Sequence, residues 1–446
     1  MKRFLAVVMV VLMALAFAVP VGAQLGDVDN SSFTVQNVGD GLASVQISFY
    51  DESGTEHTPA TLNASKSNPF QLAAGESFEV YVPGIPTLPA GRYSVVISSS
   101  EPLVAIANLI GQNTAGTVFY NGSYSGAAQG AASINLPSVT HQYYNWNSLI
   151  SVQNVGTEAT NITVQYFCGG TFQQTRNAVQ PGGAAHFDLE TDAPVGMGGC
   201  AGSAIISSSN GQPLVAVDNQ TASGGFTQSF NAFSEGSATI YVPAMYEDYY
   251  TWNSSVNISK LGSGTAQVTV EYSDGSPDST CNLTDAAPSC LLYMPTAHTG
   301  SAKLFAATVT SVGQPIVAIV NSANPTGQAQ TYGGFPGGSG QVGLPTVMKG
   351  YYGWDTSFTC QNVGSVATTL GISYQGHAAS AYNTASIPVG GSVEVYQPSE
   401  AFLASGYRGS VTVTANATGG EIVCIVNQTN PGMVGKGDWS MSYNAQ

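Results

Sequence analysis

The chain has 446 residues, of which only 8% are charged; 10 Lys and Arg stand against 26 Asp and Glu, for a formal net charge of −16. This balance excludes nucleic acid as a partner, because that binding needs clustered cations to displace counterions, and it weighs against an anionic membrane surface. With 43% hydrophobic residues the chain is not a disordered polar tract, so its surface must consist mainly of Ser, Thr, Asn, Gln and Gly.

The N-terminus comes first. Met1-Lys2-Arg3 is a short basic start, Phe4 to Val19 is apolar, and Val21-Gly22-Ala23 is a small-residue cleavage site before Gln24. That is the pattern of a secretory signal peptide. Its removal leaves 423 of the 446 residues, takes two cations away and moves the net charge from −16 to −18. No later apolar run approaches the roughly 18 residues needed to cross a bilayer. The expectation is an exported chain, extracellular or at the cell surface, with no membrane span in its mature part.

Beyond residue 23 the chain repeats itself, a signal that precedes any motif search. Gln36-Asn37-Val38-Gly39 returns as Gln153 to Gly156 and Gln361 to Gly364, with a degenerate copy at Ser259 to Gly262. A second marker, Pro-(Leu/Ile)-Val-Ala-(Ile/Val)-x-Asn, runs over Pro102 to Asn108, Pro213 to Asn219 and Pro315 to Asn321, and a variant without the proline covers Glu421 to Asn427. A third, a Leu/Val-Pro followed by Tyr-Tyr-x-Trp, occurs at Pro137 with Tyr143-Tyr144-Asn145-Trp146, at Pro243 with Tyr249-Tyr250-Thr251-Trp252, and at Pro345 with Tyr351-Tyr352-Gly353-Trp354. The first two markers stay in step over four copies. The expected organisation is a signal peptide at 1–23 and repeats at 24–124, 131–233, 238–332 and 341–446. Gly-, Ala- and Ser-rich linkers short enough for neighbours to touch lie between them. The first repeat has a shortened N-terminus, because Gln24 leaves only a few residues before Asn30 for the Pro…Tyr-Tyr-x-Trp segment.

Each repeat reads as strands. After the marker glycine, apolar residues fall at the sixth, eighth and tenth places: Val45, Ile47 and Phe49; Ile162, Val164 and Tyr166; Val268, Val270 and Tyr272; Leu370, Ile372 and Tyr374. Period two with a polar alternate face marks a half-buried strand. Further strands are expected at Ser77 to Val82, Ala184 to Leu189 and Ser392 to Tyr396. The Pro-Leu-Val-Ala-Ile stretch is apolar at consecutive places, as in a strand buried on both faces or covered by a neighbour. No amphipathic helix is expected after residue 23. Short strands with frequent turn signals predict an all-β protein of four tandem immunoglobulin-like β-sandwich domains, with other sandwich topologies left open.

Six cysteines divide as none, two, two and two among the repeats. Six allow fifteen pairings; their distribution and the expected export favour one bridge in each of repeats 2 to 4, Cys168 with Cys200, Cys281 with Cys290, and Cys360 with Cys424. Zinc would want C-x-x-C pairs or nearby histidines, which are missing. Where Cys360 and Cys424 stand, the other repeats have Val35, Val152 and Ile258, and Ala105, Ala216 and Ala318; if the cysteines bridge, those pairs should also be close in space.

A search for chemistry is empty. His57, His141, His186, His298 and His377 occupy no repeated place, and no string for a metalloprotease, a serine hydrolase or a phosphate loop occurs. Glu79 and Glu394 share a strand position with His186, which fits a solvent face better than an acid/base pair. No catalytic residue, metal ligand or cofactor is expected, and the chain reads as a non-enzyme. Calcium is the one cofactor with some support: Asp27, Asp29, Glu247, Asp248 and Asp355 lie near the predicted junctions, and carboxylates suit a hard cation, although solvated acidic residues explain them as well. The candidates for ligand binding are Tyr143, Tyr144, Trp146, Tyr249, Tyr250, Trp252, Tyr351, Tyr352 and Trp354, since exposed Tyr and Trp faces are common recognition anchors; the plainer reading is that they pack over a neighbour or close a sandwich end.

The string Leu344 to Ser357, running on into Gln361-Asn362-Val363-Gly364, resembles tandem repeats in secreted, largely uncharacterised surface proteins of Chloroflexota-type bacteria. The resemblance covers most of repeats 2 to 4, is weaker in repeat 1, and implies a bacterial extracellular β-sandwich array without a known active site. The expected function is a non-enzymatic structural or adhesive repeat protein, a rod, sheath or surface-layer component; the alternative is a carbohydrate-binding protein using the Tyr-Tyr-x-Trp segments. Partners would be further copies of the chain or cell-surface glycans.

Overall fold

The computed structural model describes residues 9–15, 28–112, 119–223, 225–433 and 436–445. The chain is nearly all β, in antiparallel sheets packed as sandwiches; among the described residues helical structure is limited to Met294–Ala297 and a few 3-10 turns. Among the described residues no helix is long and apolar enough to cross a membrane.

The second repeat gives the plan. Its eight strands are Ser133–His141, Asn147–Asn154, Thr160–Phe167, Thr171–Val179, Ala184–Asp188, Cys200–Ser208, Leu214–Ala222 and Phe226–Asn231. In chain order they form one sheet 1-6-3-4 facing another 5-2-7-8. The fourth repeat has the same order, and in the third the two sheets join because Thr239–Tyr249 also pairs with Trp252–Lys260. The immunoglobulin likeness is one of architecture, two packed antiparallel sheets; the strand order is the part that periodicity left open.

The alternating residues of the third strands line the cores. Val45, Ile47, Phe49, Ile162, Val164, Tyr166, Val268, Val270, Tyr272, Leu370, Ile372 and Tyr374 are all buried. The second and seventh strands pair so that Val35 faces Ala105, Val152 faces Ala216, Ile258 faces Ala318 and Cys360 faces Cys424. All three expected bridges are present, Cys168–Cys200, Cys281–Cys290 and Cys360–Cys424.

The seventh strand, which carries the Pro-Leu-Val-Ala-Ile marker, explains the consecutive apolar residues. One face, such as Leu103, Ala105 and Ala107, enters its own core. The other face enters the preceding repeat. Val217 of repeat 2 belongs to the core cluster of repeat 1, Ile319 of repeat 3 to that of repeat 2, and Ile425 of repeat 4 to that of repeat 3. Ile106 of repeat 1 completes the cycle by entering the core of repeat 4. All four are the same marker position, and burying one such side chain is worth about 1.5–3 kcal/mol.

The repeats therefore close on themselves. The eighth strands, Phe119–Ser125, Phe226–Asn231, Gln328–Gly333 and Ser440–Asn444, lie side by side in cyclic order around a common axis. Asp438 sits on that axis, fully buried: its Oδ2 accepts from the backbone N–H of Thr227 and Ala329, and its backbone carbonyl accepts from the Asn121 amide. One residue of repeat 4 thus holds the other three, repeats 2 and 3 through its carboxylate and repeat 1 through its backbone carbonyl. The marker asparagines brace the same strands, with the Ser229, Thr331 and Ser442 hydroxyls donating to Oδ1 of Asn219, Asn321 and Asn427. At Gly122 a side chain would collide with Ser229 of the next repeat, so close packing on the axis requires glycine there.

The opening strand of each repeat also lies against the next repeat. Ser133–His141 packs on the second and seventh strands of repeat 3, Thr239–Tyr249 on those of repeat 4, and Gln341–Lys349 on those of repeat 1. In repeat 1 the corresponding place is filled by Met9–Leu15, which pairs with Tyr93–Ser99 and lies beside the second and seventh strands of repeat 2. The expected cleavage site and Asp27 lie outside the described residues.

Candidate interaction surface at the tyrosine hairpins

Each Tyr-Tyr-x-Trp segment is a two-residue hairpin turn between the first and second strands. In repeats 2 and 4 the first Tyr and the Trp exchange backbone hydrogen bonds, Tyr143 with Trp146 and Tyr351 with Trp354, and in repeat 3 Tyr249 pairs with Trp252. Both central residues have positive φ: Tyr144 at 48° and Asn145 at 65°, Tyr250 at 48° and Thr251 at 72°, Tyr352 at 48° and Gly353 at 84°. That is the turn whose twist matches a β-ribbon, and it favours Asn and Gly. The residue five places after the turn's entry caps it, with Oδ1 of Asn147, Asn253 and Asp355 accepting from the N–H of Gln142, Asp248 and Gly350.

The nine aromatic candidates separate by exposure. Trp354 is buried at 8% and lies 5.6 Å from Trp439. Trp146 and Trp252 are half-buried, the former against Phe226. Tyr249 stacks on Tyr246 and donates its hydroxyl to Glu394 of repeat 4, while the Arg408 guanidinium lies over the Tyr351 ring. Tyr143 is partly exposed and meets Tyr144 edge-on. The second tyrosines stand apart: Tyr144, Tyr250 and Tyr352 are 83%, 81% and 86% exposed. An aromatic residue at positive φ is an uncommon, strained choice, and here it recurs at all three described tips. The tips share one end of the axis: Trp354 touches Trp439 next to Asp438, Phe226 under Trp146 precedes Thr227, which bonds Asp438, and Asn253 beside Trp252 faces Ala323, which faces Ala329, the third residue tied to Asp438.

At the opposite end of the axis a cavity of about 580 Å³ opens between the linkers, lined by residues of all four repeats including Ser125, Asn231, Phe233, Gly333, Phe335 and Asn444. A second, of about 440 Å³, lies in the seam of repeats 4 and 1, beside Gly75 and Gln375.

The charged positions expected on a solvent face belong to the seams instead. Glu79 pairs with Arg408 of repeat 4 at 2.8 Å, His186 lies 3.3 Å from Glu52 of repeat 1, and Glu394 accepts from Tyr249 of repeat 3. The His186 ring beside it holds the Glu52 carboxyl below its ordinary range. Period two identifies the face that turns away from a strand's own core, and in a closed ring that face meets the preceding repeat.

Of the acidic residues weighed for calcium, Glu247 is engaged with His298, whose Nδ1 lies 2.6 Å from its Oε2 and whose Nε2 lies 3.1 Å from Oδ2 of Asp274. His298 is fully buried, with its ring stacked on Phe305. Burial alone would raise the Asp274 carboxyl, but hydrogen bonds from Ser276 and His298 outweigh it and hold it low. Asp355 caps its hairpin. Among the described residues no group of three or more His, Cys, Asp and Glu is arranged to hold a metal ion. Asp218, fully buried like Asp438 and not marked by the sequence, accepts from Ser148 and Gln220, and burial pushes its carboxyl up to about 7. It occupies the variable place of the marker, where Ala107, Val320 and Val426 stand in the other repeats.

No family model matches the chain, and no curated relative does. Solved structures with some similarity include the following. A Thermotoga maritima protein, 1070, is 15% identical over 27% of this chain and 92% of its own, with a TM-score of 0.21. The Anabaena sensory rhodopsin transducer is 18% identical over 22% of this chain and 91% of its own, with a TM-score of 0.15. A tetra-tandem repeat from the extending region of a large adhesion protein is 10% identical over 97% of both chains, with a TM-score of 0.11. At these scores the likenesses carry no argument.

Proposed function

We propose that this chain is a non-enzymatic, extracellular structural or adhesive unit that makes its contacts through the tyrosine face. The carrying observation is the recurrence of Tyr144, Tyr250 and Tyr352, exposed and at positive φ, on one face of an interlocked ring. Three disulfides fit an oxidising compartment. Ring closure changes the shape of any larger assembly: a rod or sheath of such units is a stack or lattice of rings, with a charge-poor surface suited to close packing. The resemblance to bacterial surface repeats agrees with this placement.

The second reading is carbohydrate binding by the same face, favoured by tyrosine rings free to stack on sugars. The half-buried or buried tryptophans do not add to it. A triple Y144N/Y250N/Y352N variant tests both readings. Asn suits positive φ, so its melting temperature should match or exceed that of the parent, while adhesion to cells, self-assembly seen by electron microscopy, or retention on polysaccharide columns should fall at least tenfold. Unchanged behaviour in all three assays would contradict the proposal.

A further inference from the structure

The edge strand Tyr93–Ser99 of repeat 1 carries an inference independent of what the tyrosines touch. In repeats 2, 3 and 4 the equivalent strand is covered by the repeat's own opening strand, Ser133–His141, Thr239–Tyr249 or Gln341–Lys349. In repeat 1 it is covered by Met9–Leu15, paired from Met9 with Ser99 to Leu15 with Tyr93. Those seven residues lie inside the segment that has the charge, apolar core and cleavage site of a signal peptide.

Removing that segment takes out one strand and leaves a slot with a defined shape. One side is the unpaired edge of Tyr93–Ser99, with free backbone donors and acceptors; the other is the second and seventh strands of repeat 2, Asn147–Asn154 and Leu214–Ala222. Such an edge is a template for a strand from another chain. The other three slots of the ring state what fits. Their occupants bury Ile134, Leu136 and Val139; Ile240, Val242 and Met245; Val342, Leu344 and Val347. Each has proline after the second of these, at the register shift between Leu136 and Val139, Val242 and Met245, or Leu344 and Val347. A proline at a bulge gives up no ladder hydrogen bond.

We propose that the mature chain accepts, at Tyr93–Ser99, an extended strand of a separate exported polypeptide with the pattern apolar-x-apolar-Pro-x-apolar. A second copy is a poor donor, since each opening strand described in repeats 2 to 4 is already paired within its own sheet.

The test uses the exported, processed protein and a synthetic peptide of the sequence Ser133–His141. Hydrogen exchange should show fast amides within Tyr93–Ser99 in the free protein. The peptide should slow them at least tenfold and raise the melting temperature; a peptide carrying Leu136→Asp should do neither. Three results would overturn the proposal: an N-terminus by mass spectrometry that still includes Met9–Leu15, amides at Tyr93–Ser99 already slow without peptide, or no protection at millimolar peptide.

Discussion

Cys360 and Cys424 are direct partners across the second and seventh strands of repeat 4, at the place where the other repeats set Val35 against Ala105, Val152 against Ala216 and Ile258 against Ala318. The bridge is therefore an addition to a site that already packs well without it. Replacing it with the resident pair, C360V/C424A, should keep the fold and cost about 2–4 kcal/mol, the usual worth of a disulfide. Urea unfolding gives the number. A variant much less stable than this would show that the sulfurs also fill space that Val and Ala cannot.

Ile106 and Ile319 hold equivalent seams, the first between repeats 1 and 4, the second between repeats 3 and 2. Truncation of either to Ala should cost about 2–5 kcal/mol. Equal costs are expected, because in a closed ring the 4–1 seam is as buried as the others. A negligible cost for I106A beside a full cost for I319A would mean that this seam is open in solution.

Asp218 makes stability depend on pH near neutrality. Its carboxyl is raised to about 7 by burial, above an unfolded value near 3.9. A raised folded value means that its contribution is complete below about pH 4 and is lost as pH rises through about 7, a change of about 4 kcal/mol. The D218N variant should flatten that slope. Denaturant midpoints at pH 5 and pH 8 check it, and a parent protein equally stable at both would contradict the assignment.

Asp274 works in the opposite direction. Asp274 is held low, so its contribution is present above the ordinary carboxyl range and is lost as pH falls through its folded value. Replacing His298 with Phe keeps a ring against Phe305 but removes the hydrogen-bond partner that Glu247 and Asp274 share. The expected cost at pH 7 is about 1–3 kcal/mol for the hydrogen bonds left unmade. Thermal melts of H298F beside the parent at pH 7 give the comparison, and an unchanged melting temperature would contradict it.

Much of the fold was legible because period two reports burial directly: every third-strand residue chosen for the core is in it, and the register linking Val35 to Ala105 follows from substitution among repeats. The marker Pro-Leu-Val-Ala-Ile showed that both faces are covered, but not by what; Val217 and Ile319 enter neighbouring cores in a way that only three-dimensional closure defines. Glu79 and His186 looked solvated because a seam that reaches across repeats has no local period. Asp438 had no signal, since an isolated Asp near a chain end looks the same on an axis or in water. Among the aromatic candidates, the sequence could not separate Tyr144, at an exposed turn, from Trp146 two places on; the sign of φ and the half-buried indole make that distinction.

Small-angle X-ray scattering of the monomer tests ring closure most directly. A compact chain of this length should have a radius of gyration of about 22 Å, whereas four sandwiches strung end to end would give roughly 40 Å. The closed ring predicts a value near the first, with a single compact distance distribution. A value near the second would contradict the interlocking of Ile106 with repeat 4 and the shared position of Asp438.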